Sequence, residues 1–293
     1  MASLNIIIPC HIDNLKRIDK FCKCIMSLIN QTHQADILIS IGFTSSQLKP
    51  LFTRTMQSNE IEKYPHISLY YHDQPKSQFE HFHFLSQYIK SDYVLFCDND
   101  DMYTIKRVEK FYNLIKSDEQ NHSIYLEKQE YFNPSYNEYP MHVVKATVFK
   151  EFLDKAKKWH YHKYCDMLFS KYLQNKYYEN DTITVNDKLY LYIKSNDDSS
   201  ITSRNRRRNQ NKGTTVVSTY EDLQKYWDEQ YMIMKDNLFV IMITNPTLNI
   251  DLCIKEMMGP NYENNCKLMP SRIHAELTHD HEYKTQHLLP LIN

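Results

Sequence analysis

Glycine is almost missing from this chain: 293 residues contain only Gly42, Gly213 and Gly259. A G-x-G-x-x-G dinucleotide loop, a Walker P-loop and a G-x-S-x-G elbow each need glycines at close, fixed spacing, so all three are excluded. Any phosphate bound here is held by side chains and metal, not by a glycine-lined loop. Charge of one sign is lacking too. Lys+Arg number 35 and Asp+Glu 36, for a formal net charge of -1. A global basic field for nucleic acid is therefore absent, and Arg204-Asn-Arg-Arg-Arg208 is the one local basic run singled out. Long apolar runs are missing as well. The best candidate, Leu238–Thr244, is short, is followed by Asn245-Pro246, and falls well below the roughly 20 residues that span a bilayer. Met1 to Asn14 has no basic segment leading into an apolar one, so no signal peptide is read there. Cysteines number 7, an odd count, and Cys253, Cys266, His274 and His279 miss zinc-finger spacings. The expectation is a soluble, cytoplasmic protein without a membrane span, whose thiols are packing residues.

What is present is a repeated alternation of short apolar runs and helical periodicity. Asn5–Cys10 is an apolar, β-branched run that predicts a buried strand. Leu15–Ile29 carries apolar residues at helical spacing after an N-cap at Asp13 or Asn14. Asp36–Ile41 predicts a second strand, Ser45–Lys63 a helical segment, His66–Tyr71 a third strand and Gln78–Lys90 a helix. Asp92–Cys97 predicts a fourth strand and Thr104–Lys116 the helix after it. Four alternations predict an α/β fold with a mostly parallel sheet covered on both faces. Ligands of such sheets bind beyond the carboxyl ends of the strands, here Pro9 to Asp13, Gly42 to Ser46, Tyr71 to Gln78 and Asp98 to Tyr103. The second half is less regular. His122–Lys128 and Met141–Phe149 read as extended, Glu151–Lys158 and Tyr161–Asn175 as helices, and Thr182–Val185 and Lys188–Lys194 as short strands. Residues 1–205 form the expected main domain. Residues 206–293 form an expected α-rich extension that shapes an acceptor site or an oligomer interface.

The sharpest chemical signal is Asp98-Asn99-Asp100-Asp101, three carboxylates just past an apolar strand. Like charges this close repel, and a hard cation such as Mn2+ or Mg2+ relieves them while taking only one or two protein carboxylates. The plainer alternative is a solvated acidic turn at the start of the next helix.

Three ordered segments resemble the GT-A-fold glycosyltransferases of family 2. They are Asn5-Ile-Ile-Ile-Pro-Cys-His11, Ser27-Leu-Ile-Asn-Gln-Thr32 and Tyr93-Val-Leu-Phe-Cys-Asp-Asn-Asp-Asp101, the last a D-x-D-type motif. The resemblance spans roughly residues 3 to 202, and Ser77-Gln-Phe-Glu-His-Phe82, with Arg107, is similar to a subset carrying a Q-F-E-H stretch. It implies a metal-dependent, inverting transfer of a sugar from a nucleotide-diphosphate donor to a glycan or protein acceptor. Carried onto this chain, it assigns Pro9, Cys10, His11 and Asp13 to the nucleotide loop. It assigns Asp98 to the ribose and the metal, Asp100 to the metal, and Asp101 to an assisting or capping role. Gln78, His81, Asn99 and Arg204 complete the donor-binding set. Asp166 is the implied general base, with Cys165 where a Glu is common and Asp154 and Glu151 as the next candidates. The plainer reading of Asp166 is an acid on a helix surface. Ile39–Phe43 lacks the acid that often meets the nucleobase, which leaves Phe43 stacking or backbone groups; a UDP-sugar is favoured over a GDP-sugar. His142 is a weaker candidate for substrate contact, His160 and His162 merely precede the Asp166 helix, and Tyr190 and Tyr192 read as packing residues. A non-catalytic binding module on the same fold is the rival expectation.

Overall fold

The computed structural model describes residues 2–128, 139–157 and 165–193. The expected extension over 206–293, Arg204–Arg208, His160, His162 and Tyr164 lie outside the described residues.

Strand β1 (Leu4–Ile12) is apolar on both faces and is buried along nearly its whole length. That suits a central parallel strand, whose two faces both meet helices. It is followed by α1 (Leu15–Ile29), capped by the Asn14 side chain, which accepts from the Arg17 N–H; α1 buries Ile18, Phe21, Cys24, Ile25, Leu28 and Ile29. Then come β2 (Asp36–Phe43), α2 (Leu48–Ser58), β3 (Ile67–Tyr71) and α3 (Gln78–Ser86). A capping box starts α3: Ser77 accepts from the Glu80 N–H while the Glu80 carboxylate accepts from the Ser77 N–H. The chain continues through β4 (Tyr93–Phe96), β5 (Met102–Tyr103), α4 (Arg107–Ser117), β6 (Ile124–Glu127), β7 (His142–Lys145), α5 (Ala146–Lys155), α6 (Cys165–Tyr177), β8 (Thr182–Val185) and β9 (Tyr190–Leu191).

The main sheet has seven strands in the order β3-β2-β1-β4-β7-β6-β8, and β5 pairs with β9 in a separate antiparallel ribbon. Only β7 runs against its two neighbours. The mostly parallel sheet expected from the alternation is therefore present. One face carries α1, α2 and α4, with Phe21 and Phe52 at 5.2 Å between ring centroids. The other carries α3, α5 and α6 around Phe96, whose ring lies 5.9 Å from Phe82, 5.2 Å from Phe149 and 5.5 Å from Phe169. Each buried ring of this kind contributes about 1.5–3 kcal/mol of burial free energy.

Two expectations are corrected. Met141–Phe149 is not one extended piece: β7 ends at Lys145 and α5 begins at Ala146. Val143-Val144 and Thr147-Val148 look alike locally, but Val148, Phe149, Phe152 and Leu153 bury at helical spacing. The helix expected from Thr104 begins at Arg107, because the Thr104 N–H is bonded to the Leu189 carbonyl and Met102-Tyr103 pair with Tyr190-Leu191.

Candidate active site

β1 and β4 are parallel neighbours in the middle of the sheet, so their carboxyl ends lie side by side, and the acidic turn meets the β1 loop there. Asn99 makes the link. Its amide donates to the Cys10 sulfur at 3.4 Å and to the His11 carbonyl at 3.3 Å. The turn is closed by the Asp101 N–H on the Asp98 carbonyl at 3.2 Å.

The Ser27 to Thr32 segment steadies the same turn from below. Ser27 accepts from the Tyr103 N–H at 3.1 Å. Gln31 donates to the Thr104 carbonyl at 2.8 Å and accepts from the Val108 N–H at 3.1 Å. Thr32 binds the Ile105 carbonyl through its N–H. The segment therefore serves as a clamp on residues 103–108.

The three carboxylates of the turn have different surroundings. Asp101, 2% exposed, accepts from the Tyr190 hydroxyl at 2.7 Å and from the Ile193 N–H at 2.8 Å. Asp100 accepts from Arg17 at 2.6 Å, and Arg17 also stands 3.8 Å from Asp13. Asp98 accepts from the Tyr139 hydroxyl, and its N–H donates to the Tyr190 hydroxyl at 3.2 Å. Burial raises the Asp98 carboxyl well above the usual range; Asp101 raises it further, the Tyr139 bond opposes the rise, and Asp100 and Asp166 add to it.

Asp166 belongs to this neighbourhood. It is half-buried in the first turn of α6, its N–H donates to the Gln78 side-chain oxygen at 3.2 Å, and its charge is felt at Asp98 and Tyr139. Gln78 thus ties the start of α3 to the start of α6, across 88 residues of sequence. Of the remaining expected residues, Pro9 and Cys10 are buried in β1, with burial pushing the Cys10 thiol up to about 12. His11 is partly exposed and burial lowers its affinity for a proton.

His81 is 1% exposed and begins a relay that runs out to half-buried His72: its Nδ1 lies 2.7 Å from the Ser40 hydroxyl, which lies 2.6 Å from His72 Nε2. Burial pushes His81 down to about 3, with His72, His11 and Lys76 adding to the shift. His142 is fully buried, with Nε2 2.5 Å from the Tyr178 hydroxyl and Nδ1 3.2 Å from the Tyr139 carbonyl. Phe43 is likewise buried against Phe52 and Tyr71.

Below the turn lies a second ionic group. Arg107 and Glu127, both 0% exposed, pair at 3.0 Å. Arg107 also donates to the Pro140 carbonyl at 2.6 Å and lies over the Tyr103 and Tyr190 rings at 4.2 and 5.0 Å. Glu127 accepts from the Leu189 and Tyr190 N–H groups at 2.5 and 2.7 Å. Arg17, Tyr139 and Glu127 were not legible as site residues. Nothing local in the sequence signals that Arg17 meets an acid 83 positions away.

Among the described residues no group of three His, Cys, Asp or Glu side chains is arranged to hold a metal ion by itself. A phosphate-bridged ion asks less of the protein, one or two carboxylates. Asp98 fits that need: burial, and after it the neighbouring Asp101 and Asp100, raises its carboxyl, and a cation would offset both the desolvation and the repulsion.

Among solved structures, S. aureus TarS 1-349 in complex with UDP is 13% identical, with a TM-score of 0.51 over 89% of this chain and 72% of that one. S. aureus TarS 1-349 alone is 12% identical, TM-score 0.51, over 86% and 85%. S. aureus TarS is 10% identical, TM-score 0.50, over 93% of this chain and 50% of that one. At such identities the likeness speaks for the fold. No curated protein matches the chain. The family described as Glycosyl transferase family 2 matches residues 5–184, which takes in β1, the Ser27–Thr32 clamp, the acidic turn and Asp166. With that match over more than half the chain and the mostly parallel sheet behind it, this protein belongs to glycosyl transferase family 2 and is a GT-A-fold glycosyltransferase.

Proposed function

We propose that the enzyme transfers a sugar from a UDP-linked donor to an acceptor hydroxyl with inversion, and that Asp166 is the general base. The observation that carries this reading is the grouping of Asp98, Asp100, Asp101 and Asp166 around one end of the sheet, felt together at Asp98. Asp101 is committed to Tyr190 and Ile193, which leaves Asp98 and Asp100 as the residues that would hold a divalent cation. When bound, Mn2+ or Mg2+ supplies positive charge to the departing diphosphate. In the proposed step the acceptor oxygen loses its proton to Asp166 and bonds to the anomeric carbon from the face opposite the diphosphate. The bond from that carbon to the diphosphate oxygen breaks, and the electron pair leaves with the diphosphate. Gln78 orients the base by holding the Asp166 N–H. The UDP of the TarS complex supports uracil as the base of the donor.

Thermal melting with UDP tests the reading. UDP at about 100 times its Kd should stabilise the protein by about 2.7 kcal/mol with Mn2+ present, and Asp100→Asn should remove most of the gain. Equal stabilisation by UDP in EDTA would overturn the metal assignment.

A further inference from the structure

The Asp100 carboxylate already has a cation. Arg17 sits in the first turn of α1, at the carboxyl end of β1, and donates to Asp100 Oδ2 at 2.6 Å. The two side chains are 13% and 22% exposed, so water screens the contact only in part. The second acid beside Arg17 is Asp13, at 3.8 Å, in the β1–α1 loop. Arg17 is close enough to His11 and Cys10 to shift both electrostatically, which locates its charge over the end of β1. Asp98 and Asp166 add two more carboxylates to the region. Arginine is suited to this place, since its planar fork matches a carboxylate and a phosphate equally well.

We propose that Arg17 is the resident counter-ion of Asp100, displaced when a divalent cation takes that carboxylate, and that the released guanidinium then binds the donor phosphates. This rests on the reading of Asp98 and Asp100 as the cation-holding residues. It assigns Arg17 two opposed effects. Toward the bare cation Arg17 is a competitor, because the ion must break the Arg17–Asp100 pair. Toward nucleotide plus cation it is a ligand, because it meets the incoming anion. A residue that merely braces α1 against the acidic turn would not show both signs.

The test measures Mn2+ binding by electron paramagnetic resonance of the free ion, and UDP binding by calorimetry, on the full chain. Arg17→Ala should bind Mn2+ alone about three- to tenfold more tightly than wild type, the range expected when a partly screened ion pair no longer competes. It should bind UDP in saturating Mn2+ about tenfold or more weakly, the usual effect of losing a charge-assisted hydrogen bond. Arg17→Gln keeps the chain length and a hydrogen-bond donor but no charge; it carries the same two expectations should the alanine variant not fold. Unchanged or weaker binding of Mn2+ alone overturns the competition, and unchanged UDP affinity overturns the handover, while the metal reading survives either result. If neither wild type nor variant binds Mn2+, with or without UDP, both readings fall together.

Discussion

Two ionic groups lie on either side of Tyr190, and they use charge in opposite ways. Below it, Arg107 and Glu127 are fully buried, and Glu127 accepts three hydrogen bonds, from Arg107, Leu189 and Tyr190. Those bonds pin the β9 segment to β6 and α4. Above it, Asp98, Asp100 and Asp166 crowd together, and the Asp98 carboxyl is held well above its ordinary range. Asp101 stands between, in sequence part of the crowd and in space part of the scaffold, since its two oxygens hold Tyr190 and Ile193. The difference teaches that an acidic run is not one site. Asp101 and Glu127 spend their oxygens on the β9 segment and build the fold, while Asp98, Asp100 and Asp166 share a neighbourhood in which burial first, and like charge with it, holds the Asp98 carboxyl up.

That division breaks first, and most visibly, at Asp166. Asp166→Asn should lower turnover by roughly 10²- to 10⁴-fold, the usual worth of a general base, with melting temperature and UDP affinity near wild type. A rise of activity with pH is expected of the wild type, and it should be absent from the variant. Wild-type turnover in Asp166→Asn would return it to the role of a surface acid and pass the search to Asp154 and Glu151. Glu151 is the poorer of the two, as Lys176 and Lys155 at 2.5 and 3.1 Å hold it down to about 2.

On the scaffold side, Glu127→Ala should act on stability instead. It strands the Arg107 charge in a fully buried setting and leaves the Leu189 and Tyr190 N–H groups without their acceptor. A loss of about 3–5 kcal/mol is expected, read by urea titration. A loss under about 1 kcal/mol would mean that Arg107 finds water or another partner, and the contrast between the two ionic groups would disappear.

The smallest effect concerns the His81 relay. A folded-state value of about 3 lies below the ordinary 6.5, so above pH 6.5 the ring is neutral in both states and adds no pH dependence. As pH falls below 6.5 the unfolded chain takes the proton and the folded chain does not, so stability falls. The slope is about 1.4 kcal/mol per pH unit, or about 2 kcal/mol between pH 6.5 and 5. His81→Asn, which can still bond Ser40, should flatten that part of the profile. Identical profiles for the two proteins would show that His81 charges freely in the folded state.

Much of the architecture was legible because local rules and tertiary packing agree. Leu15–Ile29 is helical by spacing and capped by Asn14, and the packed structure has those same bounds. The apolar runs at β1, β2 and β4 are buried on both faces, as a parallel sheet between helices requires. Where an element joined two environments the periodicity was silent. Lys145-Ala146 passes from strand to helix without a glycine, proline or capping side chain to announce it.

By itself, then, the sequence determined the class of fold, the four-fold alternation that builds it, and the place of the acidic turn after β4. Each of these follows from short-range spacing, which a linear chain displays. Only the tertiary structure decided how the carboxylates are divided. Asp101 is separated by 89 residues from Tyr190, Asp100 by 83 from Arg17, and Asp166 by 88 from Gln78. A carboxylate's role depends on which donors and charges surround it, because burial and neighbouring charge set its proton affinity and its free lone pairs. Those surroundings are assembled across the sheet, and no local pattern in the chain encodes them.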